Sequence, residues 1–297
     1  MLLKKIKPYM MPITMIIGGV FYSFFGSLAF LTPYLIFLML LITYCGLSLR
    51  DIRFSRLHLW LIAIQLLGSI AVYLLIVPFN QIIAQGVMIC VLAPTATSAP
   101  VITGMLKGNV ASLAAYSLIS NLSVAIIAPV IFSFIGNNTQ LPFFESFLAI
   151  AQRVGLLLLL PFGIALALQR FLPTLTKQVK QYSNLSFYLW IAALAIVTGR
   201  TVEFVLQQDS ANYTTEIVIA VCALVMCISQ FIVGRRIGRA YNDTIAGGQG
   251  LGQKNTILAI WMAQTYLNPI ASIAPGMYVL WQNIVNSYQV WRKRKSM

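Results

Sequence analysis

Two short polar clusters interrupt an otherwise apolar chain, and each carries groups that hold ions rather than make bonds. The first, APTATSAPVITGMLKGN at 93–109, sets Thr95, Thr97 and Ser98 between Pro94 and Pro100. Each proline removes a backbone donor, so hydroxyls and freed carbonyls lie side by side. The second, AGGQGLGQKN at 246–255, places Gln249, Gln253, Lys254 and Asn255 among Gly247, Gly248, Gly250 and Gly252. Glycine permits unwinding and close backbone approach, so the sequence predicts a break at these glycines. Oxygens of this kind suit a cation. The Lys254 ammonium suits an anion, or takes the place of a bound cation. At the middle of a membrane a lysine costs about 2.5–3.5 kcal/mol. Lys254 lies roughly 16 Å along a helix from Asp243, about half the hydrocarbon thickness, so snorkelling to the surface is strained.

Neighbouring segments supply companions. Gln65 stands alone in the apolar run LIAIQLLGSI, and Ser117, Ser120, Asn121 and Ser123 form a stripe in AAYSLISNLSVAI. Small polar residues also serve as glue between helices, and that reading competes for Ser117 and Ser123. The reading assigns Thr95, Thr97, Ser98, Asn121, Lys254 and Asn255 to the substrate, and Gln65, Ser117, Gln249 and Gln253 to a cation. No Ser/His/Asp set, carboxylate pair or HExxH occurs in these segments, which argues against an enzyme. No GxxxxGK[ST] marks an ATP-driven pump.

Such groups need helices to hold them. Of 297 residues, 59% are hydrophobic and 9% charged, which reads as a polytopic all-α membrane protein. The net charge of +14 carries no nucleic-acid implication, because no extended polar domain exists to present it. Cys45, Cys90, Cys222 and Cys227 fall in apolar segments and read as small hydrophobes, with no metal-ligand spacing. His58 sits at a segment end and reads as interfacial. The basic start, MLLKKIKPYM, reads as the flank of an uncleaved first helix rather than a signal peptide.

Apolar stretches fall at about 9–25, 29–48, 58–78, 81–105, 110–135, 148–170, 185–205, 214–234, 244–266 and 270–291. With both termini cytoplasmic, nearly all Lys and Arg fall inside, from Lys4, Lys5 and Lys7 to Arg292 and Lys295. Arg153 and Arg200 fall outside, and Lys254 lies within a span. Ten spans make two sets of five, and an odd-numbered set must insert inverted the second time. The polar clusters then interrupt the fourth helix of each set, the pattern of crossing helices around a transport site. The expected location is a cell inner membrane, with the bilayer as solvent.

These residues resemble the bile acid:sodium symporter family, from the proline-containing fourth span leading into KGNVA at 107–111 to the Gln-rich break in the ninth. The resemblance implies a core from about 58–135 and 214–291 moving against a panel from about 9–48 and 148–205. It also implies two sodium sites beside the crossing. Gln65 and Gln253 match family glutamines. The family's ninth-span glutamate falls on Gln249, its fourth-span Ser-Asn pair on Ala99 and Pro100, and its fifth-span hydroxyls on Leu113 and Ser117. The family asparagine after the ninth-span glutamine falls on Lys254. The scaffold therefore matches while the cation chemistry departs. The expectation is a secondary active transporter of a small organic anion working by alternating access, with no cofactor other than Na+ at diverged sites. The alternative is a proton-coupled antiporter on the same scaffold using Lys254.

Overall fold

Asparagine side chains start many of the helices. In the computed structural model, which describes residues 10–46, 54–96, 99–136, 143–181, 183–206 and 213–295, the Asn80 side chain accepts from the Ile83 amide at 3.0 Å. It opens α5 (Gln81–Leu92). Asn109 accepts from Ser112 at 3.1 Å to open α7 (Val110–Ile135), and Asn255 from Leu258 at 3.3 Å to open α13 (Thr256–Tyr266). Each bond satisfies an amide that the first helical turn leaves without a partner. At α4 (Arg56–Ile76) the cap is reciprocal. Ser55 and His58 bond each other's ends, and the far ring nitrogen of His58 meets the Ser112 hydroxyl at 3.1 Å. His58 is thus a buried brace between α4 and α7, at the end of its helix.

The remaining elements are α1 (Met10–Val20), α2 (Tyr22–Ser27), α3 (Thr32–Gly46), α6 (Ala99–Met105), α8 (Phe143–Phe171), α9 (Pro173–Gln181), α10 (Ser183–Leu206), α11 (Tyr213–Ala240), α12 (Thr244–Gly252) and α14 (Ile273–Lys295). Short 3-10 turns lie at Ala29–Leu31 and Pro269–Ser272. Among the described residues there is no strand. Five helical stretches there are long and apolar enough to cross a membrane: Ala29–Gly46, Arg56–Ile76, Val110–Ile135, Phe147–Phe171 and Tyr213–Ala240. With no water to satisfy backbone groups in hydrocarbon, helices are the form such segments must take. The protein is an all-α membrane protein.

The chain forms two compact units. One comprises residues 1–47 with 156–212, the other 48–155 with 213–297. In the first, α10 packs closely on α1 and α2. A Cβ on Gly18 would run into the Ala195 backbone, and one on Gly199 into Phe25. Arg200 pairs with Glu203 one turn on, at 2.6 Å, so a charge on this apolar helix has its counter-ion at hand.

In the second unit α11 and α12 pack through glycines. A Cβ on Gly234 would meet the Gly247 carbonyl, and one on Gly247 would meet the Gly234 carbonyl. Small residues let membrane helices approach this closely. This corrects the expected break at Gly247, Gly248, Gly250 and Gly252. All four are helical and buried, and no glycine among the described residues has positive φ. They make room for neighbours: Gly250 for the Tyr116 ring and Gly252 for the Phe231 ring. The chain leaves the helix only at Gln253.

Candidate functional site

The two polar clusters meet backbone to backbone within the second unit. α5 ends at Leu92, and Pro94–Ala96 is non-helical; α12 ends at Gly252, and Gln253–Asn255 is non-helical. The Ala96 amide donates to the Gln253 carbonyl at 3.0 Å, and the Asn255 amide to the Pro94 carbonyl at 2.7 Å. Thr95 and Lys254 thereby face each other as an isolated antiparallel bridge. Each break satisfies polar groups that the other exposes, which is how unwound backbone persists at membrane depth. Pro94 lacks an amide and here uses only its carbonyl. Pro100 lies in the first turn of α6, where a missing amide costs nothing.

Three neighbours clamp the crossing. Gln65 on α4 is fully buried and all its hydrogen-bonding groups are engaged. Its Nε2 donates to the Leu92 and Ala93 carbonyls at 2.8 and 3.2 Å, and its Oε1 accepts from the Tyr116 and Ser120 hydroxyls, both at 2.8 Å. Ser120 Oγ also accepts the Thr95 amide at 3.2 Å, and Thr95 Oγ1 donates to the Gly250 carbonyl at 2.9 Å. From α14, Gln282 takes the Lys254 amide on its Oε1 at 2.9 Å.

Lys254 itself is 1% exposed. Its Nζ donates at 2.7 Å to the carbonyl of Val91, in the last turn of α5. Carbonyls of a last helical turn lack intrahelical partners and carry partial negative charge. Among the described residues no carboxylate lies within ion-pair distance of the ammonium. The amine therefore rests on the open end of a half-helix.

The other predicted residues divide. Gln253 and Asn255 lie in the crossing, Asn255 with its side chain capping α13. Asn121 donates to the Ser117 carbonyl on its own helix at 2.8 Å, and its buried Oδ1 has no hydrogen-bond partner. Ser117 is buried on the same face of α7. Gln249 turns toward α14, donating to Asn286 at 3.0 Å and Gln289 at 3.1 Å. Thr97 and Ser98 lie outside the described residues. Ala99 and Leu113, where the resemblance implies cation-binding oxygens, belong to a buried apolar cluster with Leu57, Leu61, Tyr116, Ala246 and Leu251.

Compared with known proteins, residues 32–208 match the model of the sodium bile acid symporter family, more than half of the chain. The chain belongs to that family. Members of the sodium bile acid symporter family are transporters rather than enzymes. The match ends ahead of α11, so it does not include Lys254. No curated protein matches the sequence.

Several residues that build the site escaped sequence reasoning. Gln282, Asn286 and Gln289 lie four and three apart on α14, so their amides share one helix face toward α12. That spacing was a readable signal. Tyr116 carried none, because a tyrosine in an apolar helix reads as packing. The Val91 carbonyl belongs to the backbone, and no side-chain motif marks it.

Proposed function

We propose that this protein is a secondary active transporter of a small organic anion, in which the Lys254 ammonium stands where a relative would hold a coupling cation. The observation that carries the reading is the 2.7 Å bond from Lys254 Nζ to the Val91 carbonyl in a buried crossing. A half-helix C-terminus offers a cation carbonyl oxygens and partial negative charge. Here a tethered cation occupies that end.

The residues present do not fit sodium as a ligand set. Hard cations take about six oxygen ligands, with carboxylates prominent among them. One implied place is filled by Ala99 and Leu113 in an apolar cluster. At the other, the glutamine Gln249 stands for a carboxylate, and a lysine follows Gln253. No transport step is therefore routed through sodium. Thr95 and the Gln65 clamp hold the two breaks in register, and the anion is drawn by the fixed positive charge beside them.

Two inverted five-helix repeats, with both termini on the cytoplasmic side of an inner membrane, belong to the same proposal. Supporting them is the place of the breaks: α5–α6 precede the last long helix of the first set, and α12–α13 precede α14. Alternating access would then displace one compact unit against the other.

The test is uptake into proteoliposomes from a panel of labelled small carboxylates and sulfonates, with external sodium replaced by choline. Saturable uptake of an anion, changed less than twofold by the replacement, is the expected result. Absence of anion uptake overturns the substrate class, and steep sodium dependence overturns the role of Lys254. A buried amine without a carboxylate partner can also carry a proton, which favours proton coupling as the second reading. Uptake driven by a pH gradient alone, and lost in Lys254→Met, would select it.

A further inference from the structure

The strongest unassigned feature is a groove of about 570 Å³ between the ends of α11 and α14, wholly within the second unit. Arg235, Arg239, Arg292 and Lys293 line it, and the rest of its lining is mostly apolar and includes Phe231 and Val285. No acidic side chain lines it among the described residues. Arg235 is held in place by Gln289, whose Oε1 accepts from it at 3.0 Å. Ile228 and Ile232, also in its lining, are 43% and 47% exposed on a helix long and apolar enough to cross a membrane.

Three arginines around an apolar slot demand an occupant that is anionic at one end and hydrocarbon at the other. A soluble anion would satisfy the arginines and leave the slot wet. A neutral lipid would fill the slot and leave the charges uncompensated. We propose that this groove binds an anionic phospholipid, its phosphate on Arg235, Arg239 and Arg292 and one acyl chain along Phe231 and Ile232. Basic pockets between helices on the cytoplasmic side suit such headgroups, and the orientation proposed above puts these helix ends on that side. Gln289 also accepts from Gln249 Nε2 at 3.1 Å, so the residue that fixes Arg235 touches α12 as well. The inference rests on membrane embedding and is independent of the transported substrate.

The experiment uses the full chain in detergent, reading its unfolding midpoint against added short-chain phosphatidylglycerol. Short-chain phosphatidylcholine and inorganic phosphate serve as the two comparisons. A saturable rise with phosphatidylglycerol alone is expected. In the Arg239→Gln/Arg292→Gln variant the half-effect concentration should rise about 25-fold, roughly fivefold for each charge removed. Among the described residues neither arginine side chain makes a hydrogen bond or ion pair to the rest of the fold. Should the pair fail to express, Arg239→Gln alone should show about a fivefold rise. An equal rise with phosphatidylcholine would overturn the proposal, as would an unchanged half-effect concentration in the variant. An equal rise with inorganic phosphate would also overturn it, leaving a free-anion site.

Discussion

The Lys254 ammonium donates to the Val91 carbonyl at 2.7 Å, joining the break of one helix to the last turn of the other. The two residues lie 163 positions apart in sequence. A methionine at 254 would keep much of the stem and remove the charge, and the carbonyl would lose its donor. Insertion should become easier, since the central lysine costs about 2.5–3.5 kcal/mol. Transport should nevertheless fall at least about tenfold, because an unpaired anion in a desolvated site costs several kcal/mol. Lys254→Arg keeps the charge with altered donor geometry, so partial activity is expected. Uptake per folded molecule is the measurement. A Lys254→Met protein that expresses normally and transports at the parental rate would reduce Lys254 to a structural residue.

Gln65 gives a prediction about the fold rather than the cargo. A single hydrogen bond between membrane helices is worth only about 0.6 kcal/mol on average. Gln65 makes four, and all their partners are buried groups. Leaving such a group unpaired costs about 1–3 kcal/mol. Gln65→Leu should therefore destabilise the second unit by several kcal/mol, seen as a lower unfolding midpoint in detergent. In a double-mutant cycle with Tyr116→Phe the two changes should couple, because both act on Gln65 Oε1. Additive effects would show that the clamp is not a unit.

Much of this architecture was readable from residue types, and the rest depended on which surfaces meet. The apolar stretches at 81–105 and 110–135 begin where the structure starts α5 and α7, because the composition of a run is local to it. Pro94 and the Gln253–Asn255 run mark the crossing for the same local reason. Whether Gly247 unwinds a helix or admits a neighbour is decided by Gly234 on another helix, and sequence spacing carries no such information. Gln249, where the resemblance puts a carboxylate beside Gln253, faces elsewhere. In a continuous helix residues four apart share a face, but Gln249 is helical and bonds α14, while Gln253 has already left α12 for extended backbone. The Val91 carbonyl acquires its role only because α5 stops there.

The glycine contact between α11 and α12 makes a paired prediction. A valine at Gly247 would drive its Cβ into the Gly234 carbonyl and the Gly238 backbone, neither of which can swing aside. Loss of folded protein is expected. Gly276 on α14 has nothing within 4 Å of where a Cβ would be. Gly276→Ala should leave the midpoint unchanged or raise it, since alanine favours a helix over glycine by about 1 kcal/mol. Fluorescence size-exclusion profiles of the two variants decide it. Equal tolerance at both positions would contradict the close approach of these helices.

Orientation is the remaining prediction, and it rests on charge. Lys and Arg gather on the side of the N-terminus when ten spans are drawn, and that asymmetry sets orientation only if the number of spans is right. Phe79, between α4 and α5, is 88% exposed, and Tyr241, beyond α11, is 37% exposed. The ten-span map puts the first outside and the second in the cytoplasm. Cys45, Cys90 and Cys227 are buried but Cys222 is half-buried, so both variants are made on a Cys222→Ala background to keep labelling of native thiols low. An impermeant maleimide added to whole cells should label Phe79→Cys and leave Tyr241→Cys unlabelled until the membrane is opened. The reverse pattern would invert the orientation. Labelling of both in intact cells would mean that an odd number of membrane crossings does not separate the two positions, and the ten-span map would fail.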